Sequence, residues 1–328
     1  MRIEAFTEAK RPAQPDTNED ALMILPGRAF AVLDGVSDRI GNRYDGMLAG
    51  RYASQLLQRT LEQLLSGPAA PLDDPWAVVQ AAVAAIGGAY DRLGITEQVR
   101  GNWNLQMAST MALAMLSGDR LHVALVGDTG LRLNGETVLH EEKDLDFITA
   151  ALRQQAWAPI SARLVEPGDR ERLSRHVAWS GTRHAATDVL TREDLDAIEA
   201  ATMQLCTTRL AHVPQDDVLR MVQGGIINGQ GGYQNNRGSV LGYPSLNGFE
   251  IPREMVRVES FARADVRSIE LFSDGYFALG DGFGVAAWEL MFAHVERVDP
   301  HKILHYPSPK GSADGMWSDD RTYLGVAF

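Results

Sequence analysis

Apolar residues recur along this chain in two spacings, and the alternation between them predicts its elements. Ala29-Phe30-Ala31-Val32-Leu33 is an unbroken apolar run of strand length that ends at Asp34-Gly35, which predicts a buried strand. A shorter run, Ala21 to Leu25, precedes it across a Pro26-Gly27 turn. From Asp45 to Leu65, Met47, Leu48, Tyr52, Leu56, Leu57, Leu61 and Leu64 fall at helical spacing, and Ser66-Gly67-Pro68 stops the pattern. A second helix is expected from about Trp76 to Leu93. Thr110–Leu116 and Leu121–Val126 flank Gly118-Asp119 as a hairpin that ends at Gly127-Asp128. Leu131–Leu133 and Thr137–Leu139, joined through Asn134-Gly135, predict another.

Helices are then expected around Asp146–Gln155 and Thr191–Leu210, the latter capped by Thr191. Gly224 to Gly248, rich in glycine and amides, reads as a long loop. Ser268–Phe272 is a strand ending at Asp274-Gly275, Ala286–Val295 a helix, and Thr322–Phe328 a closing strand. Strands gather in hairpins while helices come separately, which predicts an α+β fold rather than an alternating parallel sheet. No Pro/Gly/Ser-rich linker divides the chain. The expectation is one domain over residues 1–328 with an insertion or flap at about 141–265.

Composition narrows the class. With 45% hydrophobic residues over 328 positions, the chain can bury a core without staples. Its single cysteine, Cys206, cannot form an internal disulfide, which fits a reducing, cytoplasmic setting. No apolar stretch approaches the roughly 20 residues of a membrane helix. The opening Met1-Arg2-Ile3-Glu4-Ala5 lacks the apolar core of a secretory signal. A net charge of -12 argues against a nucleic-acid partner, because phosphate backbones would be repelled.

Carboxylates carry the chemistry. Glu19-Asp20, Asp34-Gly35, Asp274-Gly275 and Asp319-Asp320 each stand where a strand begins or ends. A lone Asp-Gly is ordinarily a turn. Two of them ending apolar strands, with acidic pairs towards each terminus, form a pattern suited to hard cations such as Mg²⁺ and Mn²⁺, which prefer oxygen ligands. His301 and His305 are spaced as on one helical face but lie between Pro300 and Pro307, and we read them as structural.

The motifs occur in a recognisable order. Asn18-Glu19-Asp20, Ala31-Val32-Leu33-Asp34-Gly35, Gly46 to Ser54, Ser109-Thr110 with Val123 to Thr129, Phe272-Ser273-Asp274-Gly275 and Ser318 to Thr322 resemble the metal-dependent protein phosphatases of the 2C type, from Asn18 to Thr322. That resemblance implies a four-layer α-β-β-α sandwich with two central antiparallel sheets. It implies two Mn²⁺ or Mg²⁺ ions, with Asp34 bridging them, Asp20 and the Gly35 carbonyl on one, Asp274 and Asp319 on the other, and Glu19 acting through bound water. The implied catalytic set is Asp34, Asp274 and Asp319. The implied reaction is hydrolysis of a phosphoserine or phosphothreonine ester on a partner protein.

The departures are local. Val36-Ser37-Asp38 follows Asp34-Gly35 where many relatives carry His or Met and two glycines. A third metal would use Asp128 and Asp274 with an acidic residue at the place of Ala278, which supplies no ligand. Lys10 and Arg11 are the nearest basic residues for holding phosphate. The alternative these departures raise is a weakly active or inactive module that keeps the scaffold for binding or regulation.

Overall fold

The computed structural model describes all 328 residues, which divide into two compact units: residues 1–141, 243–292 and 320–328, and residues 142–242 and 293–319. The first contains β1 (Arg2–Glu8), β2 (Ala21–Leu25), β3 (Ala29–Gly35), a small ribbon of β4 (Arg43–Tyr44) and β5 (Met47–Leu48), α1 (Ala49–Ser66), α2 (Pro75–Leu93) and α3 (Thr96–Gly101). It continues with β6 (Ser109–Ser117), β7 (Arg120–Val126), β8 (Gly130–Leu133) and β9 (Thr137–Leu139). The second holds α4 (Asp144–Ser161), α5 (Pro167–Ser180), α6 (Arg192–Arg209) and α7 (Gln215–Gly229). The chain then returns to the first unit with β10 (Arg257–Ala262) and β11 (Ser268–Phe272). The division falls within α8 (Val285–Val298), and β12 (Arg321–Ala327) closes the first unit.

Two five-stranded antiparallel sheets form the first unit, in the orders β1-β12-β11-β8-β9 and β10-β7-β6-β3-β2. Their facing surfaces meet through Phe30, Val32, Ala112, Ala114 and Val123 of one and Leu131, Ile269, Leu271, Leu324 and Val326 of the other. The alternate residues Ala31, Leu33, Met111, Leu113 and Val126 pack into the cluster that contains Leu57 and Leu61 of α1 and Val78, Val79 and Ala82 of α2. Strand β3 is thus covered on both faces, which is why its sequence runs apolar without alternating. On the outer side of the first sheet, Trp288 of α8 lies 4.9 Å from the rings of Phe272 and Tyr323. The unit is a four-layer α-β-β-α sandwich, as the resemblance implied.

That outer layer carries a buried polar network. Glu270 accepts from Arg132 Nε (2.7 Å) and Nη2 (2.9 Å), from Trp288 Nε1 (2.9 Å) and from the Tyr323 hydroxyl (3.0 Å). The guanidinium also donates to the Gly280 and Gly282 carbonyls, both at 2.8 Å. A charge fully removed from water is tolerated only with such complete pairing.

Most elements stand where the periodicity places them, and the differences have local causes. α1 starts at Ala49 rather than Asp45 because Asp45 (φ 48°) and Gly46 (φ 79°) make the tight turn of the β4–β5 ribbon. α5 was not expected, since its sequence is largely polar. α7 runs into the stretch read as a loop: Gly225 (φ 59°) interrupts the helical conformation, and a second short helical segment follows it to Gly229. At Gly225 a side chain would enter the backbone of Trp179 and Gly181. Thr191 does cap α6, in a reciprocal capping box with Asp194. The 301–305 segment is not helical, and the His301 ring packs 4.8 Å from that of Trp157. The expected insertion at about 141–265 overlaps residues 142–242 of the second unit, whereas residues 243–265, with β10, belong to the first.

Replacing Arg132 by Met strands the buried Glu270 charge and is expected to cost about 3–5 kcal/mol in urea unfolding. Arg132→Met/Glu270→Gln, which removes the charge but keeps an acceptor for Trp288 and Tyr323, should recover part of that loss.

Candidate active site

Register brings the acidic motifs to one end of the sandwich. Pairing of Ala21 with Leu33 sets the residues before β2 beside those that end β3, and the Gly35 amide donates to the Glu19 carbonyl at 3.1 Å. In the other sheet, Phe272 pairs with Tyr323. The next step of that ladder joins the Ser273 amide to the Thr322 carbonyl at 3.0 Å. The Ser273 hydroxyl accepts from the Thr322 amide (2.8 Å) and donates to Asp20 Oδ2 (2.8 Å), tying the end of one sheet to the beginning of the other. Asp320 adds a second tie: its carboxylate accepts from the Lys10 amide (2.7 Å) and the Glu19 amide (3.3 Å).

Two glycines allow this convergence. A Cβ at Gly35 would collide with the carbonyls of Gly50 and Glu19, so the end of β3 and the first turn of α1 touch backbone to backbone. A Cβ at Gly275 would collide with the Asp320 carbonyl. Both positions follow a candidate aspartate, so the Asp-Gly pairs serve close packing rather than only turns.

Lys10 is the cation within this acidic end. Its side chain is only 10% exposed, and its ammonium lies 2.8 Å from Glu19 Oε2, 2.8 Å from Ser37 Oγ and 3.1 Å from Asp320 Oδ2. Ser37 also donates to Glu19 Oε2 at 2.9 Å. The lysine that the sequence suggested for phosphate is occupied as an internal counter-ion, and Arg11 is exposed. The other Glu19 oxygen, Oε1, is buried without a hydrogen-bond partner. It lies 2.7 Å from where a Cβ on Gly50 would stand.

The remaining candidates are placed as follows. Asp34 is half-buried at the end of β3. It pairs in register with Thr110 of β6. The Thr110 side chain in turn packs against Gly127, so the buried Asp128 follows at the same end of that sheet. Asp38 caps its own loop, accepting from the Ile40 and Asn42 amides at 2.8 and 2.7 Å. Asp319 falls in the second unit and pairs with Lys310. No three His, Cys, Asp or Glu side chains are drawn together as a preformed metal cluster.

A cavity of about 540 Å³ opens beside Asp20, and Arg51 and Gln55 of α1 line it. Sequence reasoning passed over both, because helical spacing marks them only as polar positions. It also passed over the bridging role of Ser273, although Phe272-Ser273-Asp274-Gly275 had been singled out. Cys206 lies buried in α6, and burial pushes its thiol up to about 11, so it offers no thiolate nucleophile near neutral pH.

No family model matches the chain, and no curated protein does. Among solved structures it is similar to the Mycobacterium tuberculosis serine/threonine phosphatase PstP/Ppp, at 17% identity and a TM-score of 0.46, covering 100% of this chain and 98% of that one. The catalytic domain of PstP in complex with two manganese ions is similar at 16% identity and a TM-score of 0.46, over 99% and 96%. Serine/threonine phosphatase Stp1 from Staphylococcus aureus follows at 11% identity and a TM-score of 0.46, over 100% and 95%.

Lys10→Met should cost about 3–5 kcal/mol, because Glu19 and Asp320 are then left buried without their cation. Arg11→Met, at the exposed neighbouring position, should leave the urea midpoint unchanged. Equal midpoints for the two variants would show that Lys10 is not the counter-ion.

Proposed function

We propose that this chain is a metal-dependent phosphomonoester hydrolase acting on phosphoserine or phosphothreonine of a partner protein. The observation that carries the reading is the Ser273–Asp20 hydrogen bond of 2.8 Å. It couples two motifs more than 250 residues apart in sequence and brings the acidic ends of both sheets to one place.

The groups present suit hard divalent cations. Asp20, Asp34 and Asp274 offer carboxylates, Gly35 a carbonyl, and Glu19 a buried oxygen with no partner. We assign two Mn²⁺ or Mg²⁺ ions to Asp34, Asp20, the Gly35 carbonyl and Asp274. The sequence pattern extends this set to Asp319, the residue before Asp320, and makes Asp128 the candidate for any further ion. When bound, such ions lower the pKa of a coordinated water and offset charge on phosphoryl oxygens.

The chain's own contributions are positional. Ser273 orients Asp20. Lys10 and Ser37 fix one oxygen of Glu19 and leave the other open. The Gly35–Gly50 approach locks the end of β3. No histidine follows Asp34-Gly35, so water or another residue would protonate a leaving alkoxide.

We read residues 142–242 as an insertion within one phosphatase-type domain, between β9 and β10. No helix is long and apolar enough to cross a membrane. The net charge of -12 supports a protein substrate rather than a nucleic acid, and the single buried, free cysteine a reducing, cytoplasmic setting.

A second reading, a regulatory module that binds phosphoprotein without hydrolysing it, is favoured by one observation: Lys10 already pairs with Glu19 and Asp320 and offsets part of their charge. Turnover separates the two. Mn²⁺-dependent hydrolysis of an aryl phosphate is expected, lost to chelator and reduced more than about 100-fold, beyond the effect of an outer-sphere change, in Asp34→Ala and in Asp274→Ala. Cys206→Ser should retain it. Activity that survives both aspartate changes would refute the ligand assignment. Phosphopeptide binding measured by calorimetry without any turnover would favour the module.

A further inference from the structure

The cavity beside Asp20 contains one cation. Glu8 and Asp20 line it, as do Asn18, Gln55 and Gln58, and Arg51 is the only basic residue among them. Two other cations nearby are committed, while Arg11 is exposed and does not line the cavity. Lys10 is held by Glu19 and Asp320, and Arg321 by Glu8 and Glu289, each at 2.7 Å.

Arg51 is oriented without being neutralised. Its Nη1 donates to the Asn18 carbonyl at 2.7 Å, immediately before Glu19-Asp20. With the Gln55 amide turned so that its oxygen faces the guanidinium, Nε and Nη2 each donate to it at 3.2 Å. The nearest carboxylate pairing is a 4.0 Å contact with Asp16, whose side chain is fully exposed, an ion pair worth little. A guanidinium carries five N–H donors. Three are used here, which leaves one on each terminal nitrogen. Those two form the fork that grips an oxyanion in bidentate fashion.

We propose that Arg51 is the residue that recognises an oxyanion of the substrate in this cavity. The inference rests on the hydrolase reading and deepens it by naming a specificity residue. A phosphoryl group and a carboxylate flanking the phosphorylated residue present the same chemistry to the fork. Three substrates tell them apart: an aryl phosphate, a phosphoserine peptide with an adjacent Glu, and the same peptide with Ala in its place.

With the Mn²⁺-loaded full chain, Arg51→Ala is expected to raise KM about 10- to 100-fold, the loss of a charge-assisted bond pair, with kcat changing far less. Arg51→Lys, which keeps the charge but loses the fork, should recover part of that. The melting temperature and Mn²⁺ affinity should match the wild type, and Arg51→Lys serves if Arg51→Ala does not fold. An effect on all three substrates identifies the phosphoryl group as the ligand, and an effect confined to the Glu peptide identifies the flanking carboxylate. Unchanged KM for all three in a folded variant overturns the assignment while leaving the hydrolase reading intact. A wild-type chain without turnover refutes that reading instead. Calorimetric binding of the same peptides to wild type and Arg51→Ala then decides the role of Arg51 separately, and equal affinities refute it.

Discussion

Carboxylates gathered at one place repel one another, and the way this chain contains that repulsion governs much of the acidic end of its sandwich. Amides of Lys10 and Glu19 bind Asp320, the Ser273 hydroxyl binds Asp20, and the Lys10 ammonium stands between Glu19 and Asp320. All but the Lys10–Glu19 contact join segments far apart in sequence. The first and last strands of the chain, β1 and β12, are also paired along their whole length. Both strands are therefore part of the apparatus that holds the acidic groups.

Two buried carboxylates in the same unit show how differently such groups can be treated. Glu270 has both oxygens satisfied by Arg132, Trp288 and Tyr323, and it stiffens the outer layer. Glu19 has one oxygen bound by Lys10 and Ser37 and the other left without a partner. Complete satisfaction marks a structural group. An oxygen kept dry and unpaired retains capacity for something to bind, since native interiors seldom leave such atoms idle.

The sequence made the central elements legible because their signals are strong and local. β3 and β6 are continuous apolar runs, α1 and α2 hold their spacing for many turns, and Thr191 announces α6. Edge strands β1 and β10 were not read, because strands such as Arg2–Glu8 and Arg257–Ala262 mix polar and apolar residues with little core to mark them. α7 was hidden by Gly224-Gly225, whose tight packing against α5 no local rule reveals. At the site, residue types and positions along the chain could be read, but the partners could not. Lys10 looks like a solvated basic residue until Asp320, 310 positions away, is folded against it. Ser37, which looked like a defect in a motif, turns out to hold Glu19.

The backbone contact between Gly35 and Gly50 also isolates what lies between them. Residues 36 to 48 leave and re-enter the fold at points already pinned together, with their own ribbon and the Asp38 cap inside. The segment behaves as a cassette. Ser37 holds Glu19, and Asn42 and Tyr44 donate to the Asn104 and Leu105 carbonyls, so those positions are tied down; elsewhere in the segment length can drift at small entropic penalty, since closing a longer loop between fixed ends costs only slowly more. Natural variation among related chains would accordingly be expected to accumulate there, at the rim of the acidic end, while the carboxylates stay in place.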